Sequence, residues 1–398
     1  MRVCDLSNKE EVIKIMKTDM YYEPEKILDS FQHQKSEMNH EQLAFLCGLI
    51  KEKRPKKIVE VGVAAGGTTC VILECVKELE LESLIYSIDL CNNYWQEPSK
   101  KTGYMLDMLP DSLKRKHRLI TDKYLAECLC EISPERDIDF LILDTVHQLP
   151  GEIFDFIAAF PYLKKDAIVV LHDIVLNHMG GKSFRFATKL ILDVVTANKY
   201  YLFDTTSPQC CKMGMENIAA FQINEDTGKY IKDCFSALTI TWHYIPEERV
   251  LEIYRKFVSE EYDEECLKLW DCSIKMQQLS DITRYIEKDI GGVSNYKELI
   301  RKWRNSAKVC IYGFGTKGQK YLNFACLERL RVDAIVVSDT QSVCVEGIVK
   351  SEIPIYHISS LPFSKDECSF LNAGERESSI KEINNNIRFA GYYKILNG

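Results

Sequence analysis

Residues 56–69 read KKIVEVGVAAGGTT. A β-branched run ends at Glu60, the glycines Gly62, Gly66 and Gly67 follow, and Thr68 and Thr69 come next. A short β-rich run passing through glycines into a helical stretch is the opening of a parallel α/β unit. The question is whether these glycines only make a tight turn or also hold a ligand. Downstream, to about residue 225, the pattern repeats. LIYSIDL (84–90), HRLITD (117–122), DFLILD (139–144), AIVVLHD (167–173) and IAAFQI (218–223) are short β-rich runs, several ending in Asp. Helical or loop stretches separate them. The alternation predicts an α/β fold with a doubly wound, mostly parallel sheet covered on both faces.

The 398 residues exceed one ordinary core, so more than one domain is expected. Residues 1–50 read as a helical segment, because NHEQLAFLCGLIKEKRP has apolar positions at helical spacing and stops before Pro55. Residues 51–230 carry the strand–helix alternation. Residues 231–305 are charged and helical and read as a connector. Residues 306–398 resume the strand–turn–helix pattern as a second, small Rossmann-like domain.

An apolar fraction of 46% and a charged fraction of 28% are those of a soluble globular protein. The net charge of −8 argues against a general nucleic-acid binder. No apolar run approaches the roughly 18 residues that cross a bilayer. The opening MRVCDLSNKEEVIKIMK is charged throughout and lacks the apolar core of a secretion signal. The 16 cysteines are scattered without a CxxC, which fits reduced, buried thiols in a cytoplasmic protein.

In an open parallel sheet, ligands collect at the carboxyl ends of the strands where the strand order reverses. Glycines there let the backbone approach a ligand without a Cβ clash. The first run delivers Glu60, Gly62, Gly66 and Gly67 to that edge. The next ends in Asp89, placed to grip both hydroxyls of a ribose. The loop has no GK[ST] and no GxGxxG, so it is not a phosphate cradle. A nucleoside without a pyrophosphate suits it, and S-adenosylmethionine is one.

VEVGVAAGGTT, YSIDL, FLILDTVHQLPGEIFDFIAAFPYLKKDAIVVLHDI and NIAAFQI, spread over about residues 40–225, resemble the class I S-adenosylmethionine-dependent methyltransferases. They resemble most the branch of sugar O-methyltransferases and cephalosporin-hydroxylase-type proteins. The resemblance implies a cofactor loop at Glu60, Gly62, Ala64 and Gly66, with Ala64 replacing the middle glycine. It also implies a ribose-binding acid at Asp89 and an adenine-edge position near Asp122.

LILD and VVLHD end on one edge of the sheet, so Asp144, His172 and Asp173 are expected to converge in front of the donor methyl. In the related methyltransferases these places hold Mg²⁺, which clamps a substrate hydroxyl and lowers its pKa. Asp144, His172 and Asp173 are thus the implied ligands of a divalent cation, Mg²⁺ or Mn²⁺, the imidazole suiting Mn²⁺ better. His147, three residues beyond Asp144, is the candidate base, with Asp144 and Asp173 completing the catalytic set. Each histidine also has a plain structural alternative, at the sheet edge or the start of a helix. Gly180 and Gly181 are suited to hinge a loop over the site.

In the last domain, IYGFGTKGQKY places Gly313, Gly315 and Gly318 in GxGxxG spacing, after a strand and opening a helix. Asp339 ends the next strand, the context expected of a nucleotide site. Glycines for helix packing explain the same motif. The domain resembles small Rossmann-like domains attached to sugar-modifying enzymes.

Together these features predict a cytoplasmic S-adenosylmethionine-dependent O-methyltransferase acting on a sugar hydroxyl, in polysaccharide or glycosylated-metabolite biosynthesis. Its partners would be a small-molecule or glycan substrate and a second copy of the chain, with neither nucleic acid nor membrane. Two alternatives stay open: a non-catalytic nucleotide-sugar-binding adaptor, and a metal-dependent hydroxylase of the cephalosporin-hydroxylase type.

Overall fold

The computed structural model describes residues 36–179, 187–203, 207, 210–340 and 353–397. Most of the predicted N-terminal segment (1–35) and the Gly180–Gly181 hinge lie outside these residues. The chain divides into two compact units, Met1–Ser273 and Ile274–Gly398, the division falling within the helix Glu264–Asp289.

In the first unit the helix His40–Lys53 starts at a capping box: Asn39 accepts from the Gln42 amide, and Gln42 Oε1 accepts from the Asn39 amide. These two bonds satisfy donors that helix N-termini otherwise leave free. The helix ends at Arg54 in a left-handed conformation, just before Pro55. It is buried from Glu41 through Ile50 and packs into the core through Phe45, Leu46 and Ile50, against Ile58, Val71, Ile72 and Phe140.

Among the described residues seven strands follow: β1 (Lys57–Val61), β2 (Leu84–Asp89), β3 (His117–Thr121), β4 (Ile138–Leu143), β5 (Leu163–His172), β6 (Asn198–Tyr201) and β7 (Ile218–Gln222). They form one sheet in the order β3-β2-β1-β4-β5-β7-β6. β7 runs antiparallel to both neighbours, and the remaining pairs are parallel. β1 and β4 are buried along their whole length, so KIVEV and IDFLIL are mostly apolar without a strict alternation, and their charged residues Lys57, Glu60 and Asp139 are buried with them. From β1 the chain winds outward to β2 and β3, then returns to β4 on the other side of β1. The carboxyl ends of β1 and β4 therefore meet where the winding reverses, and the glycine loop and Asp144 sit there.

The second unit carries an all-parallel sheet of β8 (Lys308–Tyr312), β9 (Ala334–Val337), β10 (Ile355–His357), β11 (Cys368–Asn372) and β12 (Lys394–Ile395), in the order β10-β9-β8-β11-β12. Ile286, Leu299, Trp303, Tyr321 and Phe324 build one face of its core. The fold is thus α/β throughout, with two Rossmann-like sheets. No helix of the described residues is long and apolar enough to cross a membrane.

Candidate active site

The glycine loop is shaped by contacts that only small residues permit. The Gly62 amide donates to the Ile88 carbonyl at 2.9 Å, and the residue has φ +93°. A Cβ there would stand 1.9 Å from the Asp144 carbonyl oxygen. Ala64 also lies in the left-handed region, at φ +49°, a conformation that costs an alanine about 1 kcal/mol relative to glycine. Its carbonyl accepts from the Gly103 amide, and the Ala65 carbonyl accepts from the Met105 amide. A Cβ on Gly66 would reach to 3.0 Å from the Gly103 Cα.

Asp89 closes this loop from the side. One carboxylate oxygen accepts from the Val63 and Ala64 amides at 2.9 and 3.1 Å, and the other from the Cys91 amide at 2.8 Å. Glu60 lies underneath, fully buried, accepting from the hydroxyls of Thr69 and Ser87 at 2.7 and 2.6 Å. The Ser87 hydroxyl also lies 3.0 Å from His117 Nε2. Burial holds His117 down at about 4. Asp122 is exposed beyond β3.

Burial raises the Glu60 carboxyl to about 7, against the opposing hydrogen bonds from Ser87 and Thr69. Between its ordinary value of 4.5 and about 7, the folded chain keeps a proton that the unfolded chain has released. Stability is therefore expected to fall as pH rises through that window, by up to about 3 kcal/mol from this group. Asp155, half-buried and raised by desolvation to about 7, adds in the same direction. Glu60→Gln should remove the Glu60 share and flatten the slope, read by urea denaturation at pH 5 and pH 8. An unchanged slope would mean that Glu60 is ionised across the range.

Above the loop opens a cavity of about 450 Å³, lined among others by Gly62, Val63, Ala64, Thr68, Trp95, Asp144, His147 and Asp173. Of the predicted cofactor residues, Gly62 and Ala64 face it, whereas Glu60, Gly66, Asp89 and Asp122 are not among its lining. Glu60 and Asp89 act beneath and beside the loop, holding its shape. The helix Gly67–Glu78 begins at the cavity, and the Thr68 hydroxyl lies 2.6 Å from the Ser36 hydroxyl.

Asp144 follows β4 and Asp173 follows β5, so the sheet itself brings their carboxylates together. His147 joins them from the turn before the helix Gly151–Ala159, its Nε2 2.9 Å from Asp173 Oδ2 and 3.7 Å from Asp144 Oδ1. One ligand atom from each of Asp144, His147 and Asp173 lies within 4.8 Å of the others, a spacing that fits a divalent cation. Asn217 donates through Nδ2 to Asp173, and the Asp173 amide donates back to the Asn217 carbonyl at 2.8 Å.

His172 does not take the ligand position that the resemblance assigned to it. It is buried, and both ring nitrogens already donate: Nδ1 to Asp144 Oδ1 at 3.0 Å, and Nε2 to Gln42 Oε1 at 3.1 Å. The Gln42 amide is oriented by the Asn39 amide on one side and by Glu216 Oε1, 2.8 Å from Nε2, on the other. An imidazole bonded at both edges has no lone pair to offer a metal. His172 serves instead as a fixed cation behind Asp144. Burial works against its charge, but Asp144 and then Asp173 outweigh it and raise the group to about 9.

His147 is held in the same way. Burial opposes its charge, and the Glu152 carboxylate and the bond to Asp173 overcome it, lifting the group to about 11. Asp173, buried but bonded to His147 and near His172, is held down at about 2. Without a cation, then, the two histidines neutralise the carboxylates around them. Glu37 also lines the cavity, and burial together with Asp144 raises its carboxyl.

Glu37, Gln42, Glu152, Glu216 and Asn217 escaped the sequence reading. Gln42 and Glu216 come from elements far apart in the chain, and no local motif marks them. Glu152 alone carried a signal, an acid in the first turn of a helix five residues after His147.

In the second unit, Gly313 has φ +95°, and a Cβ on Gly318 would stand 2.2 Å from the Gly313 carbonyl oxygen. The Lys317 amide, in the first turn of the helix Thr316–Leu327, donates to Glu375 Oε1 at 3.2 Å. The buried Lys317 ammonium meets Asp289 at 2.7 Å and the Gly374 carbonyl at 3.1 Å. Asp339 accepts from the amide and hydroxyl of Ser359. Close packing accounts for Gly318 and the left-handed backbone for Gly313, whereas a Cβ on Gly315 would meet only the Glu375 side chain at 3.7 Å. That side chain accepts from the Lys317 amide.

Residues 59–174 match a family described as a methyltransferase domain. A comparison with curated proteins found no match. Among solved structures, the chain is similar to the O-methyltransferase TomG of Streptomyces achromogenes, involved in tomaymycin synthesis and solved with S-adenosylmethionine. The identity is 12%, over 56% of this chain and 100% of that one, with TM-score 0.34. It is also similar to the O-methyltransferase from Bacillus cereus solved with S-adenosylhomocysteine, at 12% identity over 55% and 99%, TM-score 0.35. A third is the MycE methyltransferase of mycinamycin biosynthesis, solved with Mg, S-adenosylhomocysteine and mycinamycin VI, at 16% identity over 53% and 56%, TM-score 0.34. The family match identifies the segment 59–174 as similar to a methyltransferase domain.

Proposed function

We propose that the chain is an O-methyltransferase whose acceptor is a sugar hydroxyl, presented to S-adenosylmethionine at the centre formed by Asp144, His147 and Asp173. The observation that carries this reading is the meeting of the glycine-loop cavity with that centre at the point where the sheet winding reverses. The loop Gly62–Gly67 approaches the nucleoside, and Thr68 with the start of its helix faces the amino-acid carboxylate. In the transfer, the acceptor oxygen attacks the methyl carbon. The carbon–sulfur bond breaks with its electron pair going to sulfur, and the hydroxyl proton leaves.

A divalent cation fits the centre. Asp144, Asp173 and His147 Nε2 would hold it, and when bound it would lower the pKa of the acceptor hydroxyl. The chain's own contribution is alignment and charge. His172 and Asn217 fix the two carboxylates, and the cavity orients the acceptor, which supplies much of the rate because the sulfonium is already a strong leaving group. Without a cation His147 is already protonated, its group standing at about 11. As a ligand, its Nε2 has no lone pair left. The hydroxyl proton therefore leaves to water in the cavity, and His147 acts as a ligand rather than as the base.

The test is titration of the protein with S-adenosylhomocysteine, on wild type and on Asp89→Ala, followed by transfer of labelled methyl from S-adenosylmethionine to a panel of sugars with Mn²⁺ or Mg²⁺. Micromolar binding is expected for wild type and is expected to be lost in the variant, whose loop no longer has its clasp. Folded, cofactor-free wild type that does not bind would make the loop a structural turn only. Binding with transfer to catechols but to no sugar would overturn the acceptor assignment.

A further inference from the structure

Glu152 is a carboxylate with no accessible surface. Burying such a group costs several kcal/mol unless it is paired and hydrogen-bonded. No lysine or arginine is its partner among the described contacts. It receives the Thr145 amide at 3.1 Å, the Thr188 hydroxyl, and His147 Nδ1 at 2.9 Å. Three segments thus converge on one acid: the strand end carrying Asp144, the turn carrying His147 and the helix Ala187–Val194. Two of these donors are neutral and would be as well served by a neutral acceptor. The imidazole is the partner whose orientation depends on this acceptor.

The geometry of that contact has a direction. His147 has two ring nitrogens, and a hydrogen bond at one decides which is turned outward and in which tautomer. Its backbone, at φ +53°, is in a conformation that a side chain adopts only when its surroundings hold it there. We propose that Glu152 is the positioning residue of the centre: its carboxylate holds the Nδ1 edge of His147, so that Nε2 is the atom presented to Asp144, Asp173 and whatever they bind. This rests on the reading of His147 as part of the active centre, and it concerns the orientation of the ring. A carboxylate behind a ligating imidazole typically strengthens metal binding 10- to 100-fold.

The test needs no acceptor. Full-length protein with ¹⁵N-labelled histidine rings is examined by NMR without added metal, then titrated with Mn²⁺. His147→Gln assigns the His147 ring signals. If that variant binds Mn²⁺ as wild type does, His147 does not face the cation, and the reading on which the proposal rests falls with it. Glu152→Leu, close in volume, is expected to stay folded by circular dichroism, to change the ring signals of His147 but not those of His172, and to weaken Mn²⁺ binding about 10- to 100-fold. Glu152→Ala takes its place should leucine not fold. Glu152→Gln, which can still accept from Nδ1, should recover Mn²⁺ affinity to within about fivefold of wild type. Folded Glu152→Leu or Glu152→Ala protein with wild-type His147 signals and wild-type Mn²⁺ affinity would overturn the proposal, leaving Glu152 a packing residue.

Discussion

Gly62→Ala is expected to abolish S-adenosylhomocysteine binding and to destabilise the first unit by about 2–5 kcal/mol. Two costs add. The backbone at φ +93° is a conformation that L side chains rarely adopt, worth about 1–2 kcal/mol. The new methyl would also stand 1.9 Å from the carbonyl oxygen of Asp144, where neither strand has room to retreat. Overpacking of this kind typically adds about 1–3 kcal/mol. The displaced atoms belong to Asp144, so the variant should disturb the loop and the acidic centre together. Calorimetric titration and urea denaturation read the two effects. A stable Gly62→Ala protein that still binds at micromolar concentration would show that β1 and β4 do not approach each other here as described.

Asp144→Asn should separate the two halves of the site. The substitution keeps the shape and the acceptor oxygen for His172, but removes one of the two carboxylates at the centre. Affinity for S-adenosylhomocysteine should be unchanged, because the loop contacts Asp144 only through its backbone. Mn²⁺ affinity should fall on the order of 100-fold, and methyl transfer to an accepted sugar on the order of 10³-fold. Raising the pH should not restore the rate, since the lost element is a fixed charge rather than a proton. Wild-type turnover in this variant would remove Asp144 from the chemistry.

Much of this was legible in the sequence because the relevant residues lie at strand ends. A buried parallel strand announces itself as an apolar run, and the residue that follows it is delivered to the working edge of the sheet. Asp144 and Asp173 were found that way. The method failed where the answer depends on which way a side chain turns. His172 and Asp173 are adjacent and both line the cavity, yet the His172 ring is already bonded at both nitrogens while Asp173 meets His147 Nε2; no pattern in VVLHD distinguishes them. Glu60 and Asp89 were read as cofactor-binding residues, but the partners that show them holding the loop, Thr69 and Ser87 for one and the Val63 and Ala64 amides for the other, are tertiary. The strands β6 and β11 were missed for a different reason. NKYY is a short, half-buried edge strand, and CSFLN carries polar residues into a fully buried position. Neither shows the apolar run or the alternation on which strand prediction depends.

The clasp that Asp89 makes on the loop has a consequence for how a ligand arrives. Because the amides of Val63 and Ala64 are already bonded to its carboxylate, the loop is expected to hold its shape before anything enters the cavity. A ligand meeting such a surface has little chain to order, so little of its interaction energy goes into restricting backbone motion. Association should accordingly be a single, concentration-proportional phase in stopped-flow fluorescence, without the slower step that marks a loop folding around its guest. The rigidity that makes alanine intolerable at Gly62 is also what would make the empty cavity ready for its cofactor.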